Sequence, residues 1–186
     1  MLKYPFHVTP YYCVVIENDK LQKEIQSVLE KIKFQYNPGW GKTQQLSDYS
    51  FESNIIDEFD MEVLKECFKP HIQNYCESLQ FKLDKFNYTT SWFTLNQKND
   101  YSHSHNHVAD ISGCYYFKTN GDDGNIFFRH PLNFLAINRN YDSFAFLVKE
   151  KPQIGKLLLF PGWMEHGVER NTTESDRISL SFNIDL

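Results

Sequence analysis

Four of the seven histidines offer the clearest chemistry in this sequence. Three fall in one short tract, Tyr101-Ser102-His103-Ser104-His105-Asn106-His107. The fourth, His166, lies in Phe160-Pro161-Gly162-Trp163-Met164-Glu165-His166-Gly167-Val168. Residues two apart on a strand share a face, so His103, His105 and His107 are expected to line one side if the tract is extended. Two close imidazoles plus a distant third on a neighbouring strand can make a facial set of metal ligands. Imidazole suits iron, zinc, copper and nickel alike, so the tract does not choose the metal. A solvated strand, or a surface that binds metal without catalysis, would carry the same pattern, and spacing separates none of these.

The rest of the chain must position these rings. An apolar run from Tyr11 to Ile16 predicts a strand. Leu21, Ile25, Val28, Leu29 and Ile32 then recur at helical spacing, predicting an amphipathic helix over 19–33 with Asn18 or Asp19 as its cap. Residues 35–50 read as loop. Met61, Leu64, Phe68, Ile72, Tyr75, Cys76 and Leu79 predict a second helix over 58–79, kinked or split by Pro70. Beyond residue 80 the segments 89–95, 112–118, 125–128, 143–149, 156–160 and 177–183 are short, aromatic or aliphatic, and separated by turns. Short strands with frequent turns predict a sandwich or barrel. One domain over 1–186 is expected, with helical support over about 1–80 and a β body over about 85–186.

Composition narrows the classes. With 19 basic and 24 acidic residues the formal net charge is −5, which argues against non-specific nucleic-acid binding. No run of 18 apolar residues exists to span a membrane, and the N-terminus lacks the apolar stretch of a signal peptide. Cys13, Cys67, Cys76 and Cys114 form no CxxC pair and read as reduced core thiols of a cytoplasmic protein. Sixteen Phe and eleven Tyr predict a core and pocket rich in rings. Nothing in the sequence specifies a homodimer, and nothing opposes one.

Several blocks together resemble the 2-oxoglutarate/Fe(II) oxygenases common in phages and marine bacteria, relatives of the prolyl hydroxylases. His105-Asn106-His107 is followed by Ser112-Gly113-Cys114-Tyr115-Tyr116-Phe117, similar to that family's His-x-His and Ser-Gly-Val-Tyr-Tyr-Leu. Gly124-Asn125-Ile126-Phe127-Phe128 with Pro131 resembles its next block. The closest resemblance is Gly155-Lys156-Leu157-Leu158-Leu159-Phe160-Pro161-Gly162-Trp163-Met164-Glu165-His166-Gly167-Val168, followed by Arg177-Ile178-Ser179-Leu180-Ser181-Phe182-Asn183. Trp40, Gly41, Thr43 and Leu46 match more weakly.

The resemblance implies a double-stranded β-helix, a cupin-like jelly roll with N-terminal helices. It also implies a ferrous iron and 2-oxoglutarate, whose oxidative decarboxylation to succinate and CO2 accompanies hydroxylation of a substrate. His105, His107 and His166 take the places of the catalytic iron ligands. Arg177 takes the place of the residue that grips the far carboxylate, for which a guanidinium fork is suited. Ser179, on the same strand face, could add a hydrogen bond. One departure stands out: the wider superfamily uses His-x-Asp or His-x-Glu, whereas His107 occupies the carboxylate's place here. Asp110 and His103 are therefore competing ligands. Trp92, Trp163 and Met164 are expected in the core or pocket wall, and either Tyr115 or Tyr116 faces the pocket. The substrate is open among protein, nucleobase and small metabolite. Two other classes fit the same fold: a cupin-like metal protein without 2-oxoglutarate chemistry, and a non-catalytic relic.

Overall fold

The computed structural model describes residues 11–37, 41–47, 53–81, 83–131 and 147–186. His7 and Trp40 lie outside them. Among the described residues two antiparallel sheets dominate. The larger runs β1 (Tyr12–Val15), β9 (Lys156–Pro161), β6 (Ile111–Lys118), β11 (Arg177–Asp185), β4 (Asn87–Asn96), β3 (Gln45–Leu46) and β2 (Gln35–Tyr36). The smaller runs β5 (Ser102–His105), β10 (His166–Val168), β7 (Ile126–Arg129) and β8 (Leu147–Glu150). Packed face to face, they form the double-stranded β-helix of a cupin-like jelly roll.

Strand alternation sorts the large sheet into two faces. On β11, Ile178, Leu180, Phe182 and Ile184 pack outward, while Arg177, Ser179 and Ser181 line a cavity between the sheets. On β6, Tyr115 packs outward and donates nothing to the cavity; its hydroxyl accepts from Gln22 Nε2 at 2.8 Å. Tyr116 points inward and lines the cavity, which settles the choice between the two tyrosines. Leu157 and Leu159 of β9 face outward and Leu158 and Phe160 inward.

Among the described residues three helices cover the outer face: α1 (Asp19–Leu29), α2 (Ile55–Glu58) and α3 (Glu62–Ser78). Asn18 Oδ1 caps α1 by accepting from the backbone N–H groups of Lys20 and Leu21. Leu21, Ile25 and Val28 form its buried stripe. The helix stops before the expected residue 33, because Glu30 and Lys31 close a tight turn onto Gln26 and Val28; Ile32 still packs on the core from that turn. The second expected helix breaks at Asp60, where φ is 52°, and not at Pro70. Pro70 sits on the exposed side of α3, where the carbonyl it strips of a partner is free to meet water. Met61 offers α3 no side-chain cap, and Glu24 of α1 supplies one, accepting from the N–H groups of Val63 and Leu64 at 3.0 and 2.8 Å.

Three further expectations are corrected. Cys13 is exposed on edge strand β1 and is not a core thiol, although all four cysteines are free. Trp163 is half exposed on the turn between β9 and β10 and does not line the cavity, whereas Met164 is buried between the sheets. Residues 35–36 and 45–46, read as loop, add two short strands to the sheet edge.

Candidate metal centre

His166 opens β10 and is the register partner of His105, the last residue of β5. The centroids of the two rings lie 4.4 Å apart. His107 lies beyond the end of β5, so strand parity alone does not place it. Its N–H donates to the carbonyl of Gly162 at 2.8 Å, tying the tract to the turn that leads into β10. That turn requires glycine: a Cβ at Gly162 would meet the carbonyl oxygen of Ala109 at 2.2 Å. His107 thereby stacks on His166 at 5.1 Å, with an interplanar angle of 27°. The ligand atoms of His105, His107 and His166 all lie within 4.8 Å of one another, the arrangement of a metal-binding group.

Hydrogen bonding fixes two of the rings. Nδ1 of His105 lies 2.7 Å from the His103 carbonyl, and Nδ1 of His166 lies 2.8 Å from the Met164 carbonyl. A carbonyl only accepts, so Nδ1 carries the proton in both and Nε2 keeps the lone pair that a metal needs. Burial, then the nearby imidazoles, push His166 down to about 3; burial, then His105, push His107 down to about 4. His105 is also lowered, chiefly by burial. All three rings are neutral at pH 7, the form that ligates.

Neither competing ligand joins them. His103 shares the face of His105 but sits about 7 Å back along the strand, exposed, with its ring against Tyr101. Asp110 is exposed, and its carboxylate accepts from the N–H of Leu186 at 2.9 Å.

The three histidines share a cavity of about 60 Å³ with Arg177, Ser179, Tyr116, Thr94, Asn96 and Trp92. Arg177 is 1% exposed. Its Nη1 donates to the carbonyls of Asp123 and Gly124 at 3.0 and 2.7 Å, while its Nε is buried without a partner. Gly124, at φ 101°, makes that turn possible. Asp100 lies close enough to feel the charge, yet its carboxylate is turned to the Gln97 N–H and the Tyr36 hydroxyl. Among the described residues Arg177 forms no ion pair, so a buried cation faces the cavity unmatched. An anion in the cavity would match it, and three neutral imidazoles would suit a divalent first-row metal. Asn96 was not singled out from the sequence; its only signal is two-residue spacing with Thr94 and Trp92 on a strand whose inner face meets the histidines.

A jelly roll that clusters three histidines beside a buried arginine has the layout of a metal site that faces an anion pocket. Residues 90–183 match the family described as "Putative 2OG-Fe(II) oxygenase", and the chain belongs to that family. No curated protein matches it in sequence. Among solved structures it is similar to HygX from Streptomyces hygroscopicus with nickel, 2-oxoglutarate and hygromycin B bound. That likeness has a TM-score of 0.67 at 12% identity, over 95% of this chain and 83% of HygX. The epimerase SnoN in complex with Fe3+, alpha ketoglutarate and nogalamycin RO is similar at TM-score 0.69 and 12% identity, over 95% of this chain and 79% of SnoN. A 2OG-Fe(II) oxygenase family oxidoreductase from Burkholderia pseudomallei gives 0.65 at 8% identity, over 93% and 84% of the two chains. At these identities the likeness concerns the fold.

Proposed function

We propose that this protein is an Fe(II)- and 2-oxoglutarate-dependent oxygenase, working as one domain, that hydroxylates its substrate with release of succinate and CO2. The observation that carries this reading is the pairing of two features in one cavity. Three neutral histidines stand at one side, and a fully buried guanidinium with no acidic partner among the described residues stands at another. That cation calls for an anionic ligand beside the metal, a demand that the far carboxylate of 2-oxoglutarate meets. The fold neighbours seen with 2-oxoglutarate and nickel or iron give the reading further support.

His105, His107 and His166 would hold the iron through Nε2 of His105 and His166 and a ring nitrogen of His107. When bound, iron and 2-oxoglutarate supply the oxidising chemistry, and dioxygen is the oxidant. This chain's residues position and shield. The His103 and Met164 carbonyls lock the ring orientations. Arg177 holds the far carboxylate, with Ser179 beside it on the strand face. Nη1 of Arg177 is already pinned by two carbonyls, which leaves the rest of the guanidinium to the ligand. Tyr116, Phe160 and Ile126 wall the cavity with apolar surface, which limits water near the reacting atoms.

The test is anaerobic addition of 2-oxoglutarate to protein loaded with Fe(II). A weak visible absorption band is expected from the chelate, and succinate should form once air is admitted. Metal binding without any band would exclude 2-oxoglutarate and leave a cupin-like metal protein.

A further inference from the structure

We propose that Asn96 is a second anchor for the co-substrate, its carboxamide nitrogen donating to the same far carboxylate that Arg177 holds, so that the pair selects a dicarboxylic 2-oxo acid. This rests on the reading of the cavity as a 2-oxoglutarate site.

Asn96 is 0% exposed and lines the cavity. Neither Oδ1 nor Nδ2 has a hydrogen-bond partner among the described residues. Exchanging the two amide atoms changes nothing, because both ends are unmet. A buried carboxamide left this way is costly, and apolar residues of similar shape would avoid that cost. Its main chain, by contrast, is tied down: the carbonyl accepts from Nδ2 of Asn171, itself 0% exposed, at 3.1 Å. The strand end is fixed while the side chain is unsatisfied.

Position supplies the second argument. Asn96 is the direct register partner of Arg177 across β4 and β11, so the two side chains leave the sheet on the same face as neighbours. Arg177 Nε is also buried and unpartnered. Two adjacent residues thus present unmet donors, Nε and Nδ2, to one cavity. A carboxylate is acceptor-only and has two oxygens. It would satisfy both donors at once and neutralise the guanidinium. Nothing else in the cavity wall among the described residues is acidic.

The experiment compares two acids in protein loaded with Fe(II) and kept anaerobic. 2-Oxoglutarate has the far carboxylate; 2-oxobutyrate has the same chelating head without it. Asn96→Leu should weaken 2-oxoglutarate binding by about 10- to 100-fold, as for loss of a hydrogen bond to a charged group. It should leave Fe(II) and 2-oxobutyrate affinities unchanged. The metal-free variant should melt no lower than the parent, because the substitution removes unmet buried polar atoms. An unchanged 2-oxoglutarate affinity overturns the proposal, as does an equal loss for both acids, which would mark a packing role. If the leucine variant does not fold, Asn96→Asp takes its place. A carboxylate there should capture Arg177 and abolish 2-oxoglutarate binding, and parent-like affinity would overturn the proposal. Failure of the parent to bind 2-oxoglutarate, or indifference to Arg177→Lys, sinks the underlying reading instead.

Discussion

Strand β11 shows the same backbone doing two jobs. Its outward residues, Ile178, Leu180, Phe182 and Ile184, meet the helices in an apolar layer. Its inward residues, Arg177, Ser179 and Ser181, meet a cavity whose polar atoms are partly unmatched. The outer face is closed: Phe68 of α3 packs on Tyr115 and Phe182 at 5.3 and 5.5 Å. Among the described residues the inner face keeps a buried cation with no ion pair and an unmet Nε, and a buried carboxamide with neither end met, both of which oppose stability. Stability is concentrated on one face and ligand chemistry on the other, and substitutions should separate them.

The largest effect is expected on the outer face. Phe68→Ala leaves a cavity under the sheet and should cost about 3–5 kcal/mol of stability, read from denaturant unfolding. The remaining folded protein should keep its 2-oxoglutarate affinity. Weakened binding in that folded fraction would show that the faces are coupled. On the inner face, His166→Ala should lower Fe(II) affinity by more than the roughly 10- to 100-fold that follows loss of a group supporting a ligand. Its fold should survive, as judged by circular dichroism.

The buried histidines also predict a pH response of the metal-free protein. The folded-state values of His107 and His166, about 4 and about 3, lie below the ~6.5 of an unfolded chain. Between those values the unfolded state binds more protons. Stability is therefore full above about pH 6.5 and falls as pH drops toward the folded-state values. From pH 7 to pH 5, His166 alone should cost roughly 2 kcal/mol. Equal melting temperatures at the two pH values, with metal chelated away, would place the rings in water instead. A smaller effect is expected of Arg177→Lys, which keeps the charge but loses the fork. It should weaken 2-oxoglutarate binding by roughly tenfold or more in calorimetric titration of the Fe(II) protein, with little change in melting temperature.

Much of this division was legible in the sequence. The segments 177–183 and 112–118 read as strands because they are short, aromatic or aliphatic, and bounded by turns, and Leu21, Ile25 and Val28 read as the apolar stripe of a helix. The three histidines and Arg177 were legible through their motif blocks. What escaped was whatever depends on contacts between distant segments. The end of α1 is set by a turn and not by the apolar pattern. The break at Asp60 is a local left-handed conformation that no neighbouring residue announces. Glu24 caps a helix about forty residues away, so neither helix shows it. Asn96 gains meaning only from its register with Arg177, which a strand pattern cannot supply.

The smallest expected effects concern the residues that looked equivalent to the ligands. His103 has the same parity as His105, and Asp110 has the carboxylate that the superfamily pattern requires. Parity gives a shared face but also a displacement of about 7 Å per two residues, which carries His103 out of reach of the other rings. Its imidazole is exposed and rests on Tyr101. Asp110 stands at the mouth of β6, and its carboxylate is engaged by the backbone of Leu186. His103→Ala and Asp110→Ala should each leave Fe(II) stoichiometry and 2-oxoglutarate chelation unchanged. Asp110→Ala should cost at most about 1 kcal/mol of stability through its lost hydrogen bond. His107→Ala is the informative contrast, because it removes the ring that stands where a carboxylate is usual. If Asp110→Ala loses iron while His107→Ala keeps it, the chain rearranges on binding metal and the site is an ordinary two-histidine, one-carboxylate triad. Retention in Asp110→Ala with loss in His107→Ala leaves a neutral ligand set. The bound iron then keeps one more unit of positive charge for the dianionic co-substrate, and the buried Arg177 adds to the same attraction.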